Sequence, residues 1–283
     1  MIADLKELWR FRELLYSMVE RELKIRYKNS FLGFFWSLLN PLITVLVMTV
    51  VFKYFLSNST PNFSAYILAA YLPYMFLQLS LLDSAQSVLA ALPIVKKVYF
   101  PREILPLSGV ISNFIHFLLA QGVFLIYLLF VFLRNPGENP FQVTLLFLPA
   151  LWVIQLMLCV GLGLLISALN TLYEDVKYIV SVLLYLLFFL CPIMYFSENV
   201  WHRAQASGSW VYTAYHLNPV AMLSTAYRKV LVAPQPVDVN GEKVAALPLD
   251  WGLLAVAAAI AFLCLIGGYS VFNRLKWRFV ERP

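Results

Sequence analysis

Charge is scarce in this sequence. Of its 283 residues only 13% are Asp, Glu, Lys or Arg, while 61% are hydrophobic. A soluble domain carries about 25% charged residues, so the composition excludes ordinary globular, disordered and nucleic-acid-binding classes and leaves an integral membrane protein. Cysteine is scarce too: Cys159, Cys191 and Cys264 all lie within apolar segments. An odd number so scattered offers neither a disulfide framework nor a CxxC metal or redox motif. No short apolar core with a cleavage site opens the chain, so no secretory signal is expected. The first 33 residues hold seven basic and five acidic side chains instead.

Catalytic motifs are missing as well. No lysine is followed by Ser or Thr, so the chain has no G-x-x-x-x-G-K-[ST] phosphate loop. His116, His202 and His216 show no H-E-x-x-H spacing, and there is no G-x-S-x-G elbow. His116, inside an apolar run, reads as a packed or hydrogen-bonded histidine. Intramembrane acids mark ion-coupled transporters, and only Asp83 qualifies. No paired broken helices suggest an inverted repeat. These absences predict a chain that is not an enzyme and has no cofactor or metal of its own. It is a conduit whose energy comes from elsewhere.

What the sequence does have is long apolar runs. A bilayer core needs about 20 apolar residues per helix. Six stretches reach that length, at roughly 34–56, 64–92, 104–133, 143–168, 177–196 and 251–272. Pro73 and Pro106 kink or start the second and third. An even number of spans puts both termini on one side. With the termini cytoplasmic, 15 basic residues lie on the inner segments and six elsewhere. The positive-inside rule then makes both ends cytoplasmic. The expected fold is an all-α integral membrane protein. Residues 1–33 form an amphipathic interface helix, 34–276 a six-helix transmembrane domain and 277–283 a cytoplasmic tail.

Residues 5–28 have the pattern of one amphipathic helix. Leu8, Phe11, Leu15, Met18, Val19 and Leu23 share a face, and Glu20–Lys24 and Glu22–Arg26 are i,i+4 pairs in the favourable order. Such a helix either anchors in the interface or touches a partner subunit or lipid headgroup. The basic link between the second and third spans carries Lys96 and Lys97, with Pro93 and Pro101 setting its ends. It sits among anionic lipid heads or docks a cytosolic partner. On the outer side, Asn218 and Pro219 predict a capped helix running to about Val232, too short to span and therefore re-entrant or interfacial. Arg228 and Lys229 near its end complement the helix dipole. Pro234–Gln235–Pro236 and Asn240–Gly241–Glu242–Lys243 predict an exposed loop.

Aromatics are abundant. Tyr178, Tyr185, Phe189 and Phe196 form a stripe along the fifth span, pointing within about 20° of one direction at 100° per residue. Phe31, Phe35 and Trp36 crowd the start of the first span. An aromatic-lined path suits the C–H faces of sugars, although interfacial belts and lipid-facing rings are aromatic too.

Several stretches resemble the membrane subunit of type-2 ABC exporters for lipid-linked polysaccharides, the O-antigen, capsule and teichoic-acid permeases. They are Arg21–Glu22–Leu23–Lys24–Ile25–Arg26–Tyr27–Lys28 with Leu32–Gly33, Trp36 and Leu39–Asn40–Pro41–Leu42, then Lys96–Lys97–Val98–Tyr99–Phe100–Pro101–Arg102–Glu103. Asn170 with Tyr173, Asp175 and Val176, Pro192–Ile193–Met194–Tyr195, and Leu217–Asn218–Pro219 before Tyr227–Arg228 also fit. The resemblance covers nearly the whole chain in order. Two features depart from it: Glu174 stands where the family usually has Arg, and the loop 234–248 is longer.

The resemblance implies a homodimer of six-span subunits with two cytosolic P-loop ATPase subunits, which bind the ATP and Mg. It implies a cargo of undecaprenyl-linked polysaccharide moved across a bacterial inner membrane, with no nucleic-acid partner. Region 84–97 would be the coupling helix, its contacts Ser87, Val88, Leu92, Lys96, Lys97 and Arg102. The turn Tyr173, Glu174 and Asp175 would be a second contact. Spans one and five would line the path through Phe31, Phe35, Trp36, Tyr178, Tyr185, Phe189 and Phe196. Arg26 and Arg228 would meet a headgroup or gate, and segment 197–232 would close the outer side. The alternatives are an ABC permease for a drug or small lipid, an ion-coupled flippase using Asp83, and a membrane-bound glycan-modifying enzyme.

Overall fold

The computed structural model describes residues 2–27, 35–51, 55, 62–134, 142–208, 210–239 and 242–279. Twelve α-helices and one small hairpin are described there. α1 (Ile2–Arg10) and α2 (Arg12–Tyr27) replace the single helix expected over 5–28. The chain turns at Phe11, whose N–H is shared between the carbonyls of Glu7 and Leu8 at 3.1 and 3.2 Å. The turn lets Phe11, Leu14 and Met18 pack together on the apolar cluster of the membrane helices. The Glu20–Lys24 pair forms at 2.6 Å. Glu22 pairs with Arg21 at 3.2 Å, and the Arg26 side chain lies outside the description.

α3 (Phe35–Val50) covers the described part of the first expected span. α4 (Phe63–Ala90), α6 (Ile104–Arg134), α7 (Leu148–Leu172) and α12 (Trp251–Leu275) follow. With the 3-10 turns Val143–Phe147 and Lys276–Phe279 that extend α7 and α12, these are the four helices among the described residues long and apolar enough to cross a membrane. α8 (Val176–Leu190) has 15 residues, about 22 Å of helix against a hydrocarbon core of about 30 Å. It was expected to run to 196. It stops because Pro192 disfavours helix in the residue before it, and Cys191 is extended at φ −88°, ψ 153°.

α4 is the central helix, with 18 of its 28 residues buried. Pro73 lies within it without ending it, and its carbonyl accepts from Gln155 of α7 at 3.3 Å. Pro106 falls in the first turn of α6, where a missing N–H costs nothing. α7 and α12 meet through Gly161 and Gly268, and Gly163 of α7 leaves room for Ser84 of α4. With hydrocarbon on all sides, close backbone approach of this kind holds helices together where the hydrophobic effect cannot.

Beyond α8 come α9 (Ser197–Ser207), α10 (Trp210–His216) and α11 (Pro219–Leu231). α11 matches its expectation: Asn218 caps it, its side chain accepting from the Val220 N–H at 3.0 Å, and Pro219 holds the first turn. The loop after it contains a hairpin, β1 (Val237–Val239) on β2 (Glu242–Val244), pairing Val237 with Val244.

Candidate functional site: an exposed basic link, an aromatic face and a bonded cap

At the end where the two terminal segments meet, α4 continues to Ala90 and is followed by α5 (Leu92–Val95), a single helical turn with Pro93 in its start. The expected coupling helix over 84–97 is therefore split between two elements. Val88 is wholly buried and Ser87 faces inward, donating to the Ser84 carbonyl at 2.8 Å and lying 3.2 Å from Ser167 Oγ. Leu92 is half-buried. The surface is made instead by Ile94, Lys96, Lys97, Val98 and Tyr99, which are exposed, over the buried Val95 and Phe100. Arg102 is turned inward to donate to the carbonyl of Lys276.

The turn Tyr173–Asp175 is exposed. It is held by Asn170, whose amide donates to the Ala85 carbonyl at 2.6 Å and accepts from the Lys177 N–H at 2.9 Å. One buried side chain thus fixes the ends of α4, α7 and α8 together. A cavity of about 350 Å³ opens nearby between α2, α4 and α6, with Arg21, Glu22, Asp83, Gln86 and Ser87 on its wall. Asp83 accepts from Asn113 at 2.8 Å.

α8 presents an aromatic face. Tyr178, Tyr185 and Phe189 are 63%, 63% and 50% exposed, with the Tyr185 and Phe189 rings 5.2 Å apart. Phe196 does not join them. It lies past the break at Cys191, 3% exposed, with Phe63 and Tyr66 of α4 at 5.9 and 5.0 Å. Phe31 lies outside the described residues. Phe35 and Trp36 are in the first turn of α3, and their side chains are not described.

The break after α8 is bonded from within. The Leu190 carbonyl accepts from both Tyr195 and Tyr215 hydroxyls at 2.8 Å, and the two hydroxyl oxygens are 2.8 Å apart. Unpaired carbonyls at a helix end cost several kcal/mol in a bilayer, roughly the desolvation of a lone amide. The tyrosines remove that cost.

Arg228 is not poised for a headgroup. It is 5% exposed, and its guanidinium donates to the carbonyls of Tyr66 at 2.9 Å, Tyr195 at 2.7 Å and Ile193. It binds α11, the start of α4 and the break after α8 into one cap. Lys229 pairs with the buried Glu198, which also accepts from the Leu247 N–H at 3.1 Å. Burial pushes the Glu198 carboxyl up, but Lys229 and these bonds outweigh it and hold it below its ordinary value. His216, wholly buried in the cap, contacts the Tyr212 carbonyl and Thr225 Oγ1 at 3.0 and 3.3 Å, and burial holds its imidazole below its ordinary value.

Among the described residues no three His, Cys, Asp or Glu gather as a metal site. All three cysteines are free, two of them buried. The site therefore consists of an exposed basic link, an aromatic helix face and a bonded cap. Glu103, Lys276 and the tyrosine pair had escaped assignment from sequence, because their partners lie 173 and 20 residues away.

Residues 13–232 match the model of the ABC-2 type transporter family. The chain is 31% identical over 281 residues to the O-antigen export system permease protein RfbA of Myxococcus xanthus, covering 99% of both chains. It is 29% identical over 269 residues to RfbA of Klebsiella pneumoniae, covering 95% of this chain and 94% of the relative. The polysialic acid transport protein KpsM of Escherichia coli is 25% identical over 179 residues, 62% of this chain and 67% of the relative. With more than half its length matched and a relative above 30% identity end to end, the chain belongs to the ABC-2 type transporter family.

Proposed function

We propose that this chain is the permease subunit of an ATP-driven exporter that moves undecaprenyl-linked polysaccharide, of O-antigen, capsule or teichoic-acid type, across a bacterial inner membrane. The observation that carries the reading is the end-to-end likeness to O-antigen export permeases. It is joined by a chain that lacks a phosphate loop and so needs an ATPase from outside.

The subunit crosses the membrane six times with both termini cytoplasmic, α3 and α8 counting as spans beside the four long helices. Two copies pair with two P-loop ATPase subunits, which hold ATP and Mg. Ile94, Lys96, Lys97, Val98 and Tyr99 dock the ATPase, with Tyr173, Glu174 and Asp175 as a second contact. Tyr178, Tyr185 and Phe189 face the glycan, together with Phe31, Phe35 and Trp36 at the start of the first span. The segment α9–α11 enters from the outer side without crossing and closes the path, tied by Arg228. ATP binding draws the ATPases together and displaces the docking links, a rigid-body transition biased by ligand.

Affinity purification of the tagged chain from its host in mild detergent, with mass spectrometry of its companions, tests this directly. A P-loop subunit in about equal amount, whose ATPase responds to the host's lipid-linked glycan, is the expected result. A chain that purifies alone and still transports would overturn it.

A further inference from the structure

The two chain ends converge on the link between α5 and α6. Lys276, which opens the closing 3-10 turn, pairs with Glu103 at 2.9 Å. The Arg102 guanidinium donates to the carbonyl of the same Lys276. Glu103 is 1% exposed and its second carboxylate oxygen is buried with no hydrogen-bond partner among the described residues, so Lys276 is the counter-charge that makes its burial tolerable. Trp277 is 65% exposed and lies beneath both cations, Arg102 at 5.9 Å and Lys276 at 5.6 Å from its centroid.

Beneath the surface, Phe279 is wholly buried against Phe272 and shares an apolar cluster with Val88, Val95 and Phe100. On the far side of the link, the Tyr99 hydroxyl donates to Glu7 of α1 at 2.8 Å. A free loop pushed at Lys96 and Lys97 would absorb the push by changing its own dihedrals. This one ends in two residues tied to Lys276, the first residue of the 3-10 turn that extends α12, and α12 is in backbone contact with α7.

We propose that the C-terminal turn Lys276–Phe279 is a positioning element for ATPase coupling: Lys276, through Glu103 and Arg102, sets the attitude of segment 96–101 and passes its displacement into α12. The proposal rests on the docking role given above to Lys96 and Lys97. Lys276 needs no contact with nucleotide or glycan in this role.

The test compares the complex of wild-type chain and ATPase in lipid nanodiscs with Lys276→Met, Lys276→Arg and Trp277→Ala complexes. Three quantities are read: ATPase retained, basal ATP hydrolysis, and hydrolysis with the host's lipid-linked glycan added. Lys276→Met is expected to keep association and basal hydrolysis within about twofold while losing glycan stimulation and export about tenfold, the size of an ordinary coupling energy. Lys276→Arg preserves the counter-charge and is expected to stay near wild type. Trp277→Ala, at an exposed position, is expected to fold normally and lose stimulation about threefold, which keeps the test intact if Lys276→Met folds poorly. A purely structural tail would lower all three quantities together. If the wild-type complex is coupled and both Lys276→Met and Trp277→Ala are equally coupled, the inference falls while the exporter reading stands. A wild-type chain that brings down no ATPase removes both.

Discussion

Gly161 and Gly268 hold α7 and α12 in backbone contact. A Cβ on Gly268 would lie 1.9 Å from the Gly161 carbonyl oxygen, and one on Gly161 would lie 2.4 Å from the Cys264 carbonyl carbon, both far inside van der Waals contact. The obstacle at each position is main chain, which cannot swing aside as a side chain can. Gly268→Ala and Gly161→Ala should each destabilise the chain by about 1–3 kcal/mol, the usual cost of overpacking. Thermal unfolding in detergent measures the loss. Gly267→Ala is the control, since among the described residues nothing outside its own stretch of helix lies within 4 Å of the added methyl.

Arg228 supplies the second prediction. Removing its side chain leaves three carbonyl contacts in a buried cap without their donor. Arg228→Met should cost about 3–5 kcal/mol, since it strands three buried acceptors at about 1–3 kcal/mol each, partly offset by relaxation. Arg228→Lys should recover little, because an ammonium cannot span three acceptors placed around a planar fork. The lowered melting temperature of both variants is the check.

Acid should loosen the same cap in two stages. His216 is held below its ordinary value of 6.5, so the unfolded chain protonates first and stability declines as pH falls beneath that value. Glu198 is held below its ordinary value of 4.5. Its contribution is complete above that pH and is lost as pH falls through the lower folded value. A melting-temperature profile from pH 8 to 3 should show both stages. His216→Gln should erase the decline beginning near 6.5, and Glu198→Gln the one beginning near 4.5.

Much of this was legible locally. The cap of α11 rests on Asn218 and Pro219, adjacent residues whose preference needs no tertiary context, and the Glu20–Lys24 pair is fixed by helical spacing alone. Phe196 shows where local reasoning ran out. Its membership of the aromatic stripe assumed a helix continuing past Pro192, and the break rotated it into the core beside Tyr66. The turn at Phe11 left no mark in a periodicity that runs smoothly across it; packing against the membrane helices produced it. Arg228 has the look of a surface cation at a helix end, and only its contact with Tyr66, 162 residues earlier, reveals a strut.

Charge reversal at the docking link is the fourth prediction. Lys96→Glu with Lys97→Glu places two acids on an exposed surface, with little expected change in folding. ATPase association should weaken about tenfold, and more at low salt than at high salt. Unchanged association in a pull-down titration would remove these lysines from the interface.

The aromatic face of α8 gives the fifth. Tyr185→Ala with Phe189→Ala removes two half-exposed rings that pack on each other, so the fold should persist. If the rings carry the glycan, export should fall by about two- to tenfold, corresponding to about 0.5–1.5 kcal/mol of aromatic contact, with ATPase assembly unchanged. Equal export would return the face to lipid or to the partner copy.

The hydroxyls of Tyr195, in the break before α9, and Tyr215, in the last turn of α10, converge on a single acceptor, Leu190. The two rings therefore form an indivisible unit of inheritance. A chimera that takes its outer segment from a relative lacking both hydroxyls strands the last carbonyl of α8, and one lacking either leaves it a single donor with no tyrosine partner. Domain exchange aimed at altering cargo choice has to be cut outside residues 190–215, carrying Leu190 and both tyrosines together.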